Sequence, residues 1–170
     1  AYVPNFVMPN YGSRLSSAIY VRGIGSRVNS PAVGVYMDGI PVMSKSAFNL
    51  HNYQLSRIDV LRGPQGTLYG QNTEGGLIRL YSRNPFDYKG TDVKLSYGSR
   101  NYCQTEVAHY THLGSDMALM VGGFYQGQKG FFRNATTGQR ADDYQEAGGK
   151  FMLMGRLHSG WSINLLGNYQ

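Results

Sequence analysis

The chain has 170 residues, a formal net charge of +6 and only 15% charged residues, whereas glycine (23) and tyrosine (14) are abundant. This composition disfavours long helices and favours turns, strands and aromatic girdles. No apolar run is long enough for a transmembrane helix, but transmembrane β-strands need apolar residues only at alternate positions. The basic residues are scattered, which argues against a nucleic-acid partner. Cys103 is the only cysteine, so an internal disulfide is excluded and we expect it to behave as a small hydrophobe.

The first half of the chain predicts short strands joined by polar loops. Residues 1–17 are rich in proline, asparagine and serine, and we expect them to be irregular. Residues 18–23 predict a strand that stops at glycine, and residues 32–37 predict a second strand. Asp38-Gly39 then predicts a type I′ hairpin turn, because both central residues of that turn need positive φ. The return strand, residues 40–42, contains Pro41 and is therefore expected at a sheet edge.

A glycine-punctuated stretch follows and is the most distinctive part of the sequence. Residues 54–57 predict a helical turn, and Ile58–Leu61 predict a short apolar strand. Five glycines lie between Gly63 and Gly76, which indicates positive φ or tight backbone packing. Leu77–Tyr81 predict the next strand. These elements indicate a small α+β unit with few apolar residues, which we expect to be held inside a larger structure because it can bury little surface alone.

From about residue 88 the pattern changes to strict alternation of apolar and polar residues. We predict about five antiparallel strands with turns at 99–101, 113–116 and 158–160 and a longer polar loop at 128–143. Their length, the alternation of loop size and the aromatic residues near strand ends are typical of an outer-membrane barrel. A soluble β-meander is the alternative interpretation. Five strands cannot close a barrel, so we expect a truncated chain or part of a larger assembly.

Several motifs occur in an order that resembles one known family. They are Ile19-Tyr20-Val21-Arg22-Gly23, then Pro31-Ala32-Val33-Gly34-Val35-Tyr36-Met37-Asp38-Gly39-Ile40-Pro41, then Arg57-Ile58-Asp59-Val60-Leu61-Arg62-Gly63-Pro64-Gln65-Gly66-Thr67-Leu68-Tyr69-Gly70, then Asn72-Thr73-Glu74-Gly75-Gly76 and Ser82-Arg83-Asn84-Pro85. This series resembles the plug domain of TonB-dependent outer-membrane receptors of the siderophore type. The remainder is similar to the opening strands of the same family's barrel.

The resemblance implies a fold class and a domain organisation. The fold would be an α+β plug domain with a small mixed sheet, followed by antiparallel transmembrane β-barrel strands of an incomplete barrel. Residues 1–87 would form the plug, with 1–17 as its irregular lead-in, and residues 88–170 would form about the first five barrel strands. The family's barrel has about 22 strands around the plug. The TonB box, which binds the energy-transducing protein, is expected outside this chain.

The resemblance also implies a function. The protein would not be an enzyme but an energy-coupled importer in the outer membrane of a Gram-negative bacterium, in contact with outer-membrane lipid. Its partners would be TonB and an extracellular metal-chelate ligand, expected to be a ferric siderophore or other iron complex, with no cofactor bound by the chain itself. Two alternatives remain: a soluble periplasmic or surface ligand-binding β-protein, and the inactive product of a split gene.

Two kinds of site residue follow from the resemblance. Arg22 and Arg62 match the family's arginines that latch the plug to barrel glutamates, and the glutamates would lie beyond Gln170. Such solvated charge pairs can hold a domain in register and still separate under force. The ligand would contact the apical plug loops, residues 26–30 and 44–53. The candidate contacts there are Arg27, Asn29, Lys45, Phe48, His51 and Tyr53, whose cations and aromatic faces suit an anionic aromatic chelate.

A metal site in the protein is not expected. His109 and His112 would point to opposite faces of a strand because their spacing is odd, and the other two histidines are isolated. The 63–70 turn lacks the Gly-Lys-Ser/Thr ending of a phosphate-binding loop. No nucleophile–base pair or pair of carboxylates indicates a catalytic site.

Overall fold

The fold was analysed in a computed structural model that describes residues 3–9, 18–25, 31–42, 54–130, 132–133, 135–138, 140–141, 143–157 and 160–169. The chain divides into two compact units, Ala1–Arg83 and Asn84–Gln170. No helix within the described ranges is both long and apolar enough to cross a membrane. The predicted domain division after residue 87 stays a prediction.

The first unit contains two small sheets. A three-stranded sheet has the order β1–β2–β3, and a four-stranded mixed sheet has the order β5–β4–β7–β6, in which only the β4–β7 pair is parallel. The elements are β1 (Phe6–Val7), β2 (Tyr20–Val21), β3 (Ile24–Gly25), β4 (Val33–Met37), β5 (Ile40–Pro41), β6 (Leu55–Arg62), helix α1 (Gly66–Tyr69) and β7 (Gly76–Ser82).

The apolar core of this unit lies on one face of the mixed sheet. Alternate residues of β4 and β7 point into it, as the two-residue period of strands requires. Its buried members are Ile19, Val21, Val33, Val35, Met37, Ile78 and Leu80. So small a core offers limited hydrophobic stabilisation, in line with the expectation from the short strands.

Most predicted features of this unit are confirmed. Asp38 and Gly39 have φ of 51° and 86°, the signs that a type I′ turn needs, and β5 is an edge strand as Pro41 required. The helical turn predicted over residues 54–57 is wrong, because β6 already begins at Leu55. This segment pairs with β7 through a register shift after Leu55, and the Ser56 hydroxyl donates to the Tyr81 carbonyl at 3.2 Å. Pairing with a neighbouring strand thus overrides the local preference.

The second unit is one antiparallel sheet of five strands in the order β14–β13–β10–β9–β8. The strands are β8 (Gly90–Gly98), β9 (Tyr102–His112), β10 (Met117–Gln128), β13 (Tyr144–Arg156) and β14 (Ser162–Tyr169). A hairpin with strands of two residues each, β11 (Phe132–Arg133) and β12 (Arg140–Ala141), lies between β10 and β13 in the chain. The turns predicted at 99–101 and 113–116 are confirmed, while the turn at 158–160 falls mostly outside the described residues. The long 128–143 loop differs from prediction because it contains this hairpin.

Strand β13 begins earlier than its alternation indicated. The apolar pattern starts at Phe151, but the strand starts at Tyr144. Residues 144–150 carry two glycines and two charged residues, so they have no apolar pattern to read. Their backbone nevertheless pairs with β10 without a break, from Gln128 opposite Tyr144 to Gly122 opposite Lys150.

Candidate functional site

The glycine-punctuated turn is a compact loop closed by main-chain hydrogen bonds. The Gly63 amide donates to the Gly75 carbonyl at 3.1 Å, and the Gln65 amide donates to the Thr73 carbonyl at 3.0 Å. Between these bonds lies the single turn of helix α1. The Thr73 side chain is only 1% exposed, and its hydroxyl donates to the Gly70 carbonyl at 2.8 Å. The turn is therefore a folded element and not an open loop.

Two glycines of this turn are needed for close packing. A Cβ on Gly76, where φ is 151°, would lie 2.5 Å from the Leu61 carbonyl oxygen, and a Cβ on Gly75 would lie 2.9 Å from the Ile24 side chain. The Gly75 amide also donates to the Ala32 carbonyl at 2.9 Å. The turn thereby joins β3 and the start of β4 to the β6–β7 pair.

The two proposed latch arginines lie at strand ends with exposed side chains. Arg22 is the first residue of the two-residue turn between β2 and β3, where Arg22 and Gly23 have φ of 53° and 80°. Its amide donates to the Asn5 carbonyl at 2.8 Å. Arg62 is the last residue of β6 and pairs with Gly76. Both guanidinium groups are thus presented outward from their unit, and their partners stay a prediction.

A ladder of alternating arginine and tyrosine side chains covers the second face of the mixed sheet. The Arg57 guanidinium lies 4.3 Å from the Tyr81 ring centroid, and the Arg79 guanidinium lies 5.0 Å from the same ring and 5.7 Å from the Tyr69 ring. The Tyr69 ring makes an edge contact with Tyr36 at 5.3 Å. Such cation–π contacts add to the packing of the buried Leu77 on this face.

Arg57 also makes an ion pair in this ladder. Its Nε lies 3.1 Å from Asp59 Oδ1, and the two side chains are 62% and 31% exposed. A side-chain hydrogen bond with Tyr81, and then the charge of Asp59, raise the pKa of Arg57 above its ordinary value. The guanidinium is therefore charged at every physiological pH. Because the pair is exposed, its net stabilisation is small.

The five-stranded sheet of the second unit has one polar and one apolar face. The register of the strands sets these faces. The polar face carries Asp92, Lys94, Ser96, Gln104, Glu106, Gln126, Glu146, Lys150, Asn164 and Asn168, around a small buried cluster of Ala108, Tyr110, Met120 and Met152. The apolar face carries Val93, Leu95, Tyr97, Val107, Leu119, Val121, Tyr125, Phe151, Leu153, Ile163, Leu165 and Tyr169.

Burial on these faces is the reverse of that in a soluble protein. On the polar face Glu106 and Lys150 are only 5% and 4% exposed, whereas Leu95 on the apolar face is 73% exposed. Glu106 accepts from Lys94 at 3.4 Å and from the Gln104 amide at 2.5 Å, and Glu146 accepts from Gln126 at 2.7 Å. A satisfied polar interior beside an exposed apolar exterior is the pattern of a membrane barrel wall.

The predicted ligand contacts lie outside the described residues. These are Arg27, Asn29, Lys45, Phe48, His51 and Tyr53. Within the described ranges, no three His, Cys, Asp or Glu side chains come close enough together to hold a metal ion. His109 lies on the apolar face, where its Nδ1 is 2.8 Å from the Thr91 hydroxyl, and His112 Nε2 lies 3.1 Å from the Pro85 carbonyl.

Sequence reasoning missed the arginine–tyrosine ladder and the paired polar groups of the wall. The polar wall groups could have been found, because they follow directly from the alternation once the strands are aligned. The ladder depends on the parallel β4–β7 pairing, which places Tyr36 beside Arg79, a residue 43 positions further along the chain. No local signal indicates that pairing.

A comparison with protein-family models matches residues 1–77 to the TonB-dependent receptor plug domain. Residues 1–77 thus match a TonB-dependent receptor plug domain, and the chain as a whole has the fold of such a plug with the strands that follow it. Receptors of this class transport ligands and are not enzymes. The predicted family and fold class are thus confirmed. The described strands form open sheets and not a closed barrel.

Two curated relatives are similar to part of the chain. The pesticin receptor of Yersinia pestis is 36% identical over 85 residues, which are 49% of this chain and 12% of the relative. The ferrioxamine B receptor of Salmonella typhimurium (strain SL1344) is 39% identical over 71 residues, which are 39% of this chain and 10% of the relative. The chain thus spans about an eighth or less of the length of these relatives.

Solved structures extend the likeness to both units. The ferric yersiniabactin uptake receptor FyuA from Yersinia pestis superposes with a TM-score of 0.84 at 24% identity, covering 98% of this chain and 27% of FyuA. The pyoverdine outer membrane receptor FpvA from Pseudomonas aeruginosa PAO1 gives a TM-score of 0.74 at 18% identity, covering 97% and 23%. At these identities the likeness establishes the fold.

Proposed function

We propose that this chain forms the plug and first wall strands of an outer-membrane receptor that imports a ferric siderophore, or a similar iron complex, by TonB-dependent energy coupling. The single observation that carries the proposal is the plug domain itself, with its closed glycine turn, joined to a sheet whose apolar face is exposed. The wall pattern supports a place in the outer membrane of a Gram-negative bacterium.

The relatives support iron as the cargo. One curated relative is named as a receptor for ferrioxamine B, one similar solved structure is a ferric yersiniabactin uptake receptor, and another is a pyoverdine receptor bound to pyoverdine. By analogy, the cargo of this protein would be an iron chelate that is too large and too scarce to enter by diffusion. It would be held by protein side chains and not by a metal site of the chain.

Two sets of residues would carry the mechanism. Arg27, Asn29, Lys45, Phe48, His51 and Tyr53 would contact the chelate from the apical loops. Arg22 and Arg62 would latch the plug to wall carboxylates until TonB pulls on the plug. The exposed positions of both arginines support this role, because a solvated pair is individually weak and can break under force.

The test is uptake of radioactive iron by the bacterium that carries this gene. Deletion of the gene should abolish uptake of one ferric siderophore from a panel, and deletion of the transducer should abolish uptake while surface binding of the siderophore persists. Arg62→Gln should reduce uptake more than Arg57→Gln, a matched exposed arginine on the same strand. Undiminished uptake of every siderophore in the deletion strain would overturn the proposal.

The two alternatives predict different results. A soluble ligand-binding β-protein would be extracted from cells in plain buffer, whereas the exposed apolar face predicts a requirement for detergent. An inactive product of a split gene would leave iron uptake unchanged on deletion. Extraction and uptake therefore separate the three possibilities.

A further inference from the structure

One end of the five-stranded sheet combines an open cavity with a group of cations. We call the three cations Lys129, Arg133 and Arg140 the basic rim. Lys129 directly precedes the segment with the β11–β12 hairpin, and its amide donates to the Arg100 carbonyl of the 99–101 turn at 3.0 Å. The neighbouring cavity, of about 440 Å³, is lined by Asn101, Cys103, Tyr125, Gly127, Gln128, Lys129, Asp143, Tyr144 and Gln145.

The cavity continues the apolar face of the sheet. The register places Cys103, Tyr125 and Gly127 on the same face as Val107 and Val121. Tyr125 is 42% exposed and Val121 is 51% exposed, so exposed apolar side chains on this face extend as far as the cavity lining. The cavity therefore has an apolar side along the sheet, and side-chain amides and a lysine at its rim.

The base of the hairpin is fixed to this rim. The Gly130 amide donates to Asp143 Oδ1 at 2.6 Å, and Arg140 donates to the Gly130 carbonyl at 3.2 Å. Asp143, the acidic residue in the cavity lining, is thus occupied by a main-chain donor. Lys129 is exposed, and its ammonium group makes no ion pair with any residue that the structure describes.

The hairpin also places two like charges directly opposite each other. Arg133 and Arg140 are cross-strand partners in a ribbon of only two residue pairs, and both are exposed. Like charges in this position destabilise a pair of strands. An anion shared by the two guanidinium groups would remove that repulsion, and phosphate fits because guanidinium groups bind it in a bidentate manner.

We propose that the basic rim and its cavity bind the phosphorylated headgroup of an anionic membrane lipid, with the acyl chains lying along the apolar face. The headgroup would contact Lys129, Arg133 and Arg140, and the cavity would take the part of the headgroup next to the chains. We favour a lipid over a free anion for two reasons. The cations complement a phosphate, and the adjoining exposed apolar surface would contact acyl chains, which a free anion lacks. The proposal rests on the proposed membrane location.

Cys103 makes the proposal testable, because it is the chain's only cysteine and lines the cavity. The rate of alkylation of Cys103 by N-ethylmaleimide would be measured on the full chain, refolded in zwitterionic detergent micelles, during titration with phosphatidylglycerol. At about four times the dissociation constant, bound lipid should slow alkylation about fivefold. Phosphatidylcholine and inorganic phosphate are the comparison ligands, and neither should protect the thiol at equal concentration.

Variants then assign the contacts. Lys129→Gln should raise the dissociation constant of the lipid about fivefold, and Arg133→Gln with Arg140→Gln should raise it further. Lys89→Gln is the matched control, since Lys89 is exposed and directly precedes β8 at the opposite end of that strand from the 99–101 turn. Circular dichroism and the alkylation rate without lipid show whether each variant is folded.

Four results would overturn the proposal: no protection by phosphatidylglycerol, equal protection by inorganic phosphate, equal protection by phosphatidylcholine, or equal loss in Lys89→Gln and Lys129→Gln. The assay uses neither siderophore nor TonB. If iron uptake fails its test while lipid protection persists, only the proposed function falls. If uptake is confirmed while protection is absent, only the lipid site falls.

Discussion

At the scale of single residues, Asp38 forms its hairpin turn and also accepts hydrogen bonds from Ser82. Its two carboxylate oxygens accept from the Ser82 amide at 2.7 Å and from the Ser82 hydroxyl at 2.6 Å, so the hairpin turn is tied to the end of β7. Sequence reasoning identified Asp38-Gly39 as a turn from a local preference, but the tie to β7 crosses 44 positions and has no local signal.

This double role predicts an asymmetry between two substitutions of Asp38. Asp38→Asn keeps an acceptor and a residue type that tolerates positive φ, whereas Asp38→Ala loses both acceptors and strains the backbone. We expect Asp38→Ala to lower the free energy of unfolding by about 2–3 kcal/mol and Asp38→Asn by about 1 kcal/mol. Urea denaturation of the detergent-refolded chain measures both, and equal losses would contradict the tie to Ser82.

Arg57 supplies a prediction about pH. Its raised pKa means that its contribution to stability is complete below the ordinary arginine range and is lost only at still higher pH. The difference in urea midpoint between the wild-type chain and Arg57→Gln should therefore be constant from about pH 6 to about pH 9. A difference that shrinks within this window would show that a group other than the guanidinium carries the effect.

At the scale of secondary-structure elements, aromatic rings cover glycines across neighbouring strands. Phe124 on β10 is the cross-strand partner of Gly148 on β13, and Phe151 on β13 is the partner of Gly167 on β14. A Cβ on Gly148 would lie 2.6 Å from the Phe124 ring, while a Cβ on Gly155 of the same strand would meet nothing nearer than 4.0 Å. The glycines of β13 therefore differ in the space around them, although the sequence alone does not distinguish them.

Alanine substitution of these glycines tests that inequality. Gly148→Ala should lower the free energy of unfolding by about 2–3 kcal/mol, because the new Cβ would collide with the Tyr169 carbonyl oxygen and with the buried Phe124 ring. Gly155→Ala should change it by less than about 1 kcal/mol, since an unobstructed alanine favours a strand over glycine. Chemical denaturation of the two variants in the same detergent compares them. A smaller loss for Gly148→Ala than for Gly155→Ala would contradict the packing.

Secondary-structure elements were predicted correctly where a local sequence pattern marks them. The prediction failed where only pairing with another strand determines the element. Alternation located the second half of β13 from Phe151, and the Asp-Gly pair located a turn. The first half of β13, the extension of β6 back to Leu55 and the β11–β12 hairpin lack such patterns, because cross-strand hydrogen bonds and not side-chain preference hold them. Family resemblance supplied the plug and the latch residues, which no periodicity could indicate.

At the scale of the whole molecule, the two faces of the wall sheet make a prediction about lipid. Leu165 and Asn164 are adjacent on β14 and both are exposed, but the register places Leu165 on the apolar face and Asn164 on the polar face. In a membrane, the apolar face meets hydrocarbon and the polar face meets a wet interior. Identical substitutions at these neighbours should therefore have opposite consequences.

Leu165→Lys should lower the free energy of unfolding in phospholipid vesicles by about 2–4 kcal/mol, the cost of a cation near the bilayer midplane, whereas Asn164→Lys should change it by less than about 1 kcal/mol. Folding in vesicles is followed by urea titration of tryptophan fluorescence, for which Trp161, the chain's only tryptophan, is the reporter. In zwitterionic micelles instead of vesicles, the difference in unfolding free energy between the two variants should be smaller, because a micelle lets the lysine reach water. Equal losses for the two variants in vesicles would mean that the apolar face is covered by protein and not by lipid.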